Sequence, residues 1–370
     1  MYDSKLPHTI FDLTSLEMLK GASINHVFLW LVFLISLPPF LVALQPVALL
    51  TGATGRTGKL VTHQLLQDGY QVILYCRDEA KARKSFGNHL STNQLQFLEG
   101  DLSSPESIIQ GISPWKSKLT HVVFMAGGEG ADYRAVNHKG VAALADCAIQ
   151  CDNLSHFIVI SSAWATRPYS IAALLFNSIY KDTLPMASHY LGEEALRRAS
   201  LQRNMNYVIL RAGGLNSDEN YAKKYPDAVG KGLTYQQGDS FDFLGIAGRP
   251  GMARSQLSKA VLSAMSVEGR YTVEVTGSGI VDLDDSSVYD TLVQDDLSLV
   301  PLNSDTQERE IAGVHSQAID QLKQTATAAS LGGIVLIGVF GWIKGLALLF
   351  SLDLFIILIW SRFLANQQAC

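Results

Sequence analysis

A glycine-rich run at residues 51–58 restricts the possible folds of this chain more than any other feature. It follows an apolar stretch at residues 47–50, precedes a helical pattern, and reads Thr-Gly-Ala-Thr-Gly-Arg-Thr-Gly. In such a run Gly52 permits a tight turn, Gly55 lets the backbone approach a phosphate, and Gly58 allows the helix to pack closely on the strand. Because a helix N-terminus binds anions through unpaired N–H groups, the run predicts a dinucleotide site. The alternative is a glycine-rich turn without a ligand.

The end of the second predicted strand bears on the choice of cofactor. This strand, residues 71–76, ends about twenty residues beyond the loop, where the ribose of a dinucleotide is expected. An acid there bonds the 2′-hydroxyl of NAD, whereas an arginine pairs with the 2′-phosphate of NADP. Arg77 therefore favours NADP over NAD, and Arg56 adds a second positive charge, although Asp78 would repel a phosphate. The alternative is that Arg77 and Asp78 form a solvated strand end.

Further short apolar runs continue the pattern of strands and helices. They lie at residues 96–102, 121–128, 156–162 and 207–211, with helical segments such as 136–151 between them, and residues 271–275 alternate as a final strand. Short β-branched runs separated by helices are typical of parallel strands covered on both faces. The predicted fold class is therefore α/β, a doubly wound parallel sheet of the Rossmann type with a small C-terminal substrate lobe. Ligands of such sheets bind at the carboxyl ends of the strands.

Those carboxyl ends supply the remaining candidates for cofactor binding. Asp101 and Leu102 end the third strand, where they could border the adenine. Ala126 and Gly127 are small residues where a backbone passes close to the cofactor, and Ser161 lies at the end of the fifth strand. The complete predicted set is Gly52, Thr54, Gly55, Arg56, Thr57, Gly58, Arg77, Asp101, Leu102, Ala126, Gly127 and Ser161.

These motifs together resemble the atypical short-chain dehydrogenase/reductases that have an NAD(P)H-binding, NmrA-like domain. The resemblance covers most of residues 46–277 and rests on residues 51–58, 100–102, 159–162 and 210–215 in the expected order. The family usually has Arg-Pro-Gly-Gly-Leu where this chain has Arg-Ala-Gly-Gly-Leu. Residues 161–168 are similar to a plastid-associated branch found in plants and algae, whose members are mostly known only as NAD(P)-binding proteins. This resemblance implies a plastid location.

The chain departs from that family at the catalytic residues. Typical members use a tyrosine as general acid and a lysine four residues later. Here Tyr190 is followed four residues later by Glu194, and alignment with related sequences places Pro185 at the tyrosine and His189 at the lysine. We retain Tyr190, His189 and Ser162 as catalytic candidates, because a tyrosine, a histidine and a nearby serine could serve carbonyl reduction. The alternative is that Tyr190 packs and His189 caps the helix or faces water.

Two further polar residues have open roles. Asn137 lies on the helix after the fourth strand, where an asparagine of the wider superfamily helps to organise the active site. Arg211 could reach the cofactor or substrate, or it could form a structural ion pair.

Composition excludes several other classes of protein. A formal net charge of −5 and a pI near 6.0 do not indicate the excess of positive charge that is typical of nucleic-acid-binding proteins. The four cysteines are too few and too scattered for a disulfide scaffold. Cys147 and Cys151 share a helix face, but without nearby histidines we predict no metal site.

The ends of the chain predict membrane association. Residues 1–45 form a predicted targeting, signal or anchor segment with an apolar stretch at residues 27–43, which Pro38 and Pro39 interrupt. Residues 46–277 form the NAD(P)-binding domain and residues 278–328 a solvated acidic linker. Residues 329–363 form a transmembrane segment or a helical hairpin, since a single span needs only about twenty residues. The alternative is a buried, soluble helix pair. The predicted location is a plastid membrane, with the endoplasmic reticulum as the alternative.

Two classes of function fit these observations. The first is a membrane-associated reductase that transfers hydride from NADPH to a hydrophobic carbonyl or unsaturated small molecule. The second is a non-catalytic nucleotide-binding assembly factor or redox sensor that docks beside a membrane protein complex. The missing tyrosine–lysine pair favours the second class, whereas the intact glycine loop and Arg77 support cofactor binding in both.

Overall fold

A computed structural model describes residues 45–87, 94–127, 132–228, 232–238, 251–279 and 286–340, with side chains up to residue 328. The predicted targeting segment therefore lies outside the described residues except at its last position. Of the predicted membrane segment at residues 329–363, the part after Phe340 lies outside the described residues.

One mixed sheet organises the domain. Its eight strands are β1 (Val47–Thr51), β2 (Gln71–Cys76), β3 (Leu95–Glu99), β4 (His121–Phe124), β5 (His156–Ser162), β6 (Asn206–Ala212), β8 (Gly232–Gln236) and β10 (Arg270–Gly279). Their order is β3-β2-β1-β4-β5-β6-β10-β8, and all neighbours are parallel except β10 and β8. Two short strands, β7 (Leu215–Asn216) and β9 (Met252–Ala253), pair separately. The predicted doubly wound parallel sheet is confirmed, including the final strand at residues 271–275.

Helices connect these strands and cover both faces of the sheet. In chain order they are α1 (Arg56–Gln67), α2 (Glu79–Phe86), α3 (Pro105–Ile112), α4 (Val141–Ala148), α5 (Ile171–Ile179), α6 (Pro185–Gln202), α7 (Asp218–Lys224), α8 (Arg254–Ala264) and α9 (Ser304–Phe340). A π-helical stretch, Arg134–Gly140, leads directly into α4.

Strand β1 shows why the strands of the sheet are mainly apolar. All five of its residues are buried. Ala48 and Leu50 pack into the core on the side of α1 and α8, whereas Val47 and Leu49 pack on the side of α3, α4 and α6. Because successive side chains of a strand point to opposite faces, a strand covered on both sides is apolar on both of them.

The start of α6 has a local structural reason. Leu184 adopts a left-handed backbone conformation with φ of 38°, and Pro185 then begins the helix. Proline suits the first helical position, because its fixed φ is already helical and no N–H is lost from the helix ladder.

The described part of residues 278–328 differs from the predicted solvated linker. Asp295 accepts hydrogen bonds from the Tyr207 hydroxyl at 2.8 Å and from the Thr272 hydroxyl at 2.6 Å. Helix α9 buries Ala318 and Ile319 in a small core with Leu174 of α5. This part of the chain therefore packs on the domain, because Asp295 binds the sheet and α9 has a buried face.

No helix within the described ranges combines the length and apolarity needed to cross a membrane.

Candidate functional site

A cleft of about 450 Å³ opens at the carboxyl ends of β1, β2, β3 and β4. The sheet order reverses between β1 and β4, so the cleft lies where open α/β sheets bind ligands. Eight of the twelve predicted cofactor residues line it: Gly52, Thr54, Gly55, Arg77, Asp101, Leu102, Ala126 and Gly127.

The loop glycines leave no room for larger residues on the protein side. Gly52 has a φ of +68°, and a Cβ there would lie 2.5 Å from the Met125 carbonyl oxygen. A Cβ on Gly58 would lie 2.4 Å from the Gly52 carbonyl oxygen, which confirms close packing of α1 on the loop. A Cβ on Gly55 would have a single atom within 4 Å, the Gly52 carbonyl oxygen at 3.1 Å. The space in front of α1 therefore suits a phosphate.

The acid that follows Arg77 has a structural partner. The Asp78 carboxylate accepts a hydrogen bond from the Lys81 N–H at 2.8 Å and caps α2. Asp78 is thus held at a helix N-terminus, whereas Arg77 lines the cleft. Hydrogen bonds from Ser103 lower the pKa of Asp101, and the Arg77 charge acts in the same direction. One cation and one carboxylate therefore share this end of the cleft.

The other four predicted cofactor residues lie outside the lining of the cleft. Arg56, Thr57 and Gly58 form the first turn of α1. Burial lowers the pKa of Arg254 at the start of α8, and the charge of Arg56 lowers it further, so the two arginines lie near one another. The Ser161 hydroxyl donates a hydrogen bond to the Glu193 carboxylate at 2.6 Å.

Several lining residues were missed from the sequence. They are Ala53, Tyr75, Cys76, Gly100, Ser103, Met125, Asp132 and Val136. Most of them end a strand or follow one directly, so strand-end position could have identified them. Asp132 and Val136 follow the loop after β4 and carried no comparable signal.

His189 and Asn137 lie beside the β4 end of this cleft. The Asn137 side-chain amide donates to the Ala126 carbonyl at 3.4 Å, and its nitrogen lies 3.5 Å from Nδ1 of His189. The amide oxygen of Asn137 is buried and has no hydrogen-bond partner among the described residues. Burial lowers the pKa of His189 to about 4, so its imidazole is neutral near pH 7. An uncharged imidazole therefore lies beside this end of the cleft.

Tyr190 faces a different environment. It lines a second crevice together with Glu194, Arg197, Arg211 and Asp295, whereas His189 adjoins the cofactor cleft through Asn137. Burial raises the pKa of the Tyr190 phenol, and the Glu194 charge raises it further. Ser162 ends β5 opposite Ala212 of β6. The catalytic candidates are therefore distributed between separate surroundings.

Buried ion pairs occupy the space beside Ser161. Arg211 donates two hydrogen bonds to the fully buried Glu193, at 3.0 and 2.7 Å. Burial alone would raise the pKa of Glu193, but the charge and hydrogen bonds of Arg211 hold it below its usual value. Arg167 forms a second buried pair with Glu274. Of the two roles open for Arg211, the structure shows the structural ion pair.

The described ranges contain no group of three or more histidine, cysteine or acidic side chains that could hold a metal ion.

The fold and the glycine cradle define a dinucleotide-binding α/β protein. The chain belongs to the NAD(P)H-binding family, whose pattern matches residues 52–239. The open space at Gly55 and the strand-end residues that line the cleft fit an elongated ligand with phosphates.

Two relatives and one solved structure are informative comparisons. An uncharacterised chloroplastic protein of Arabidopsis thaliana is 28% identical over 211 residues, which cover 55% of this chain and 66% of that protein. The photosystem II assembly factor Ycf39 of Trieres chinensis is 33% identical over 117 residues, 31% of this chain and 34% of Ycf39. The chain thus spans less than two thirds of each. A Bacillus halodurans protein assigned as an NAD-dependent epimerase/dehydratase is 18% identical, with a TM-score of 0.48 over 67% of this chain and 100% of that one.

Proposed function

We propose that this protein binds NADP(H) in the cleft at the end of β1 and acts as a nucleotide-dependent assembly factor or redox sensor for a membrane protein complex. In this role, the bound cofactor changes the affinity of the protein for its partner, and hydride transfer to a small molecule is not required.

The distribution of the catalytic candidates is the observation that carries this proposal. Proton transfer to a substrate needs an acid within hydrogen-bond reach of the reacting group. His189 adjoins the cofactor cleft through Asn137, Tyr190 lines another crevice, and Ser162 lines neither of the two. These side chains do not converge on one point beside the cofactor cleft, so they favour binding over reduction.

The cleft favours NADP(H) over NAD(H) in this proposal. Arg77 lines it at the strand end where the 2′-phosphate is expected, and Asp78 is held at the cap of α2. A guanidinium can form a bidentate pair with a phosphate, which NAD(H) lacks at this position.

The relatives support the cellular setting. The Arabidopsis relative is described as chloroplastic, and the Trieres relative is described as a photosystem II assembly factor. We therefore place this protein in a plastid, in preference to the endoplasmic reticulum, with a membrane protein complex as its partner. We propose that residues 329–363, a run with few charges, attach it to the membrane.

A second function rests on one observation. The neutral His189 and the unpartnered Asn137 oxygen adjoin the cofactor cleft. With water as the proton source, NADPH bound there could reduce a hydrophobic carbonyl or unsaturated compound. His189 would then act as a hydrogen-bond donor to the substrate.

Titration and turnover measurements on the full chain distinguish the two functions. We expect NADPH to bind, and its oxidation to remain at the rate of cofactor alone across a panel of hydrophobic aldehydes, ketones and enones. Substrate-dependent oxidation that is lost in His189→Ala would establish the reductase instead. If neither NADPH nor NADH binds, both functions are contradicted.

Membrane attachment is measured separately. The full chain should sediment with membranes after high-salt and alkaline washes, which remove proteins held only by charge. Release by alkali would contradict an integral segment at residues 329–363.

A further inference from the structure

Helix α5 carries an apolar face that the described structure leaves uncovered. Its side chains Leu175, Phe176 and Ile179 are 57%, 43% and 68% exposed. Residues three and four apart on a helix are neighbours, so these three form one continuous surface, which we call the α5 face. No Asp, Glu, Lys or Arg occurs between Ser170 and Tyr180. Contiguous exposed apolar surface of this kind marks an interaction site.

The opposite side of α5 is fixed to the helix that leads to the C-terminal apolar sequence. Leu174 packs against Ala318 and Ile319 of α9, and the buried Asn177 amide lies 2.8 Å from Nδ1 of His315. Helix α9 continues to Phe340, and residues 329–343 contain no charged side chain. At a rise of about 1.5 Å per residue, the apolar run at residue 331 begins roughly 18 Å along the helix from Ile319.

We propose that the α5 face contacts the surface of a lipid bilayer. The inference rests on the proposed membrane attachment through residues 329–363. An anchor that begins in α9 tethers α5 to the bilayer. Because residue 331 lies about 18 Å along α9 from Ile319, the α5 face reaches the lipid when α9 is tilted with α5 on its membrane side. A helix with an uncharged apolar face can then lie in the interface with that face among the acyl chains. A second copy is a weaker candidate, because a stable protein interface buries about 800 Å² on each partner and three partly exposed side chains offer much less.

The test uses the full chain with the fluorescent residue dansylalanine introduced at single positions. The probe replaces Leu175 or Ile179, and matched controls carry it at Leu302 or Val293, which are 83% and 76% exposed. Each protein is mixed with vesicles of phosphatidylcholine and phosphatidylglycerol, with or without brominated acyl chains, and floated on a density gradient. All four positions are exposed, so the substitutions should leave the fold intact, and thermal unfolding checks this.

We expect a blue shift of dansyl emission at positions 175 and 179 on vesicles, and a loss of that emission on brominated lipid. Positions 302 and 293 should show neither change. A blue shift that brominated lipid does not quench would assign the α5 face to a protein contact and overturn the inference. Flotation without any change at positions 175 and 179 would overturn it as well. Absence of flotation would instead contradict the membrane attachment on which it rests.

Discussion

At the scale of single residues, the three glycines of the loop have different surroundings. Gly52 has a left-handed φ and faces the Met125 carbonyl, and Gly58 faces the backbone of the loop itself. Gly55 has a φ of −70° and few protein neighbours, so its missing side chain serves the cleft more than the fold. Substitutions at the three positions should therefore have different consequences.

Gly55→Leu should abolish NADPH binding in a protein that still folds. A branched side chain would fill the space in front of α1, where the pyrophosphate is expected. Calorimetric titration with NADPH measures the loss. Gly313→Leu is the matched control, because a Cβ on this α9 glycine meets no atom within 4 Å. Undiminished affinity in folded Gly55→Leu protein would disprove the site.

Arg77→Ala should weaken NADPH binding by roughly ten- to a hundred-fold, the usual effect of losing a charged hydrogen bond of about 1.5–3 kcal/mol. NADH, which has no 2′-phosphate, should lose much less. Lys84→Ala removes an exposed cation from the adjacent helix and serves as the control. Equal weakening of both nucleotides would indicate general damage to the strand end.

At the scale of elements, α6 is held to the sheet by charge as well as by apolar packing. Arg197 of α6 pairs with Glu194 at 2.5 Å and also contacts Glu193, and its side chain donates to the Thr272 hydroxyl of β10 at 2.6 Å. Gln307 of α9 donates to Glu194 at 2.6 Å. Three elements thus share one buried network, and losing one of its charged members leaves a buried charge without its partner.

Arg211→Ala should lower the free energy of unfolding by about 3–5 kcal/mol, because Glu193 stays buried and loses its bidentate partner. Urea unfolding measures the change. Lys223→Ala breaks an exposed ion pair with Glu219 and should cost less than about 1 kcal/mol. A loss as small as that of Lys223→Ala would show that Arg197 alone compensates Glu193.

At the scale of the whole molecule, several buried histidines make stability depend on pH. Burial lowers the pKa of His121, His189 and His315 to about 4 in each case. His121 stacks on His156 at the start of β4 and β5, with ring centroids 5.0 Å apart. These imidazoles are neutral in the folded protein and have a pKa near 6.5 when unfolded, so the unfolded chain binds protons first as the pH falls.

The free energy of unfolding should therefore be highest between about pH 7 and 8 and decline as the pH falls from 6.5 towards 4, by up to about 1.4 kcal/mol per unit of pKa shift for each histidine. Burial raises the pKa of Asp146, which acts in the opposite direction, but it is one carboxyl against several imidazoles. Urea unfolding at pH 7.5, 6.5 and 5.5 measures the decline. His121→Gln should reduce the slope, and His63→Gln, at an exposed position, should not. Equal stability at all three pH values would contradict the prediction.

The sheet, the glycine loop and the position of Arg77 could be predicted from the amino-acid sequence. These features depend on short-range physics: strands covered on both faces are mainly apolar, and the backbone angle at Gly52 excludes most side chains. The same local reasoning placed eight candidate residues on one cleft, because parallel strands end at one edge of the sheet.

The partners of the charged and catalytic candidates depend on the folded arrangement of distant elements. Asp78 caps α2, Arg211 pairs with Glu193, and Asp295 reaches Tyr207 from 88 positions along the chain. His189 and Tyr190 are adjacent in sequence, yet they adjoin different cavities, because consecutive residues of a helix point in different directions. Hydrogen bonds and ion pairs form between side chains that folding brings together. Their geometry depends on how distant elements pack, which no local pattern contains.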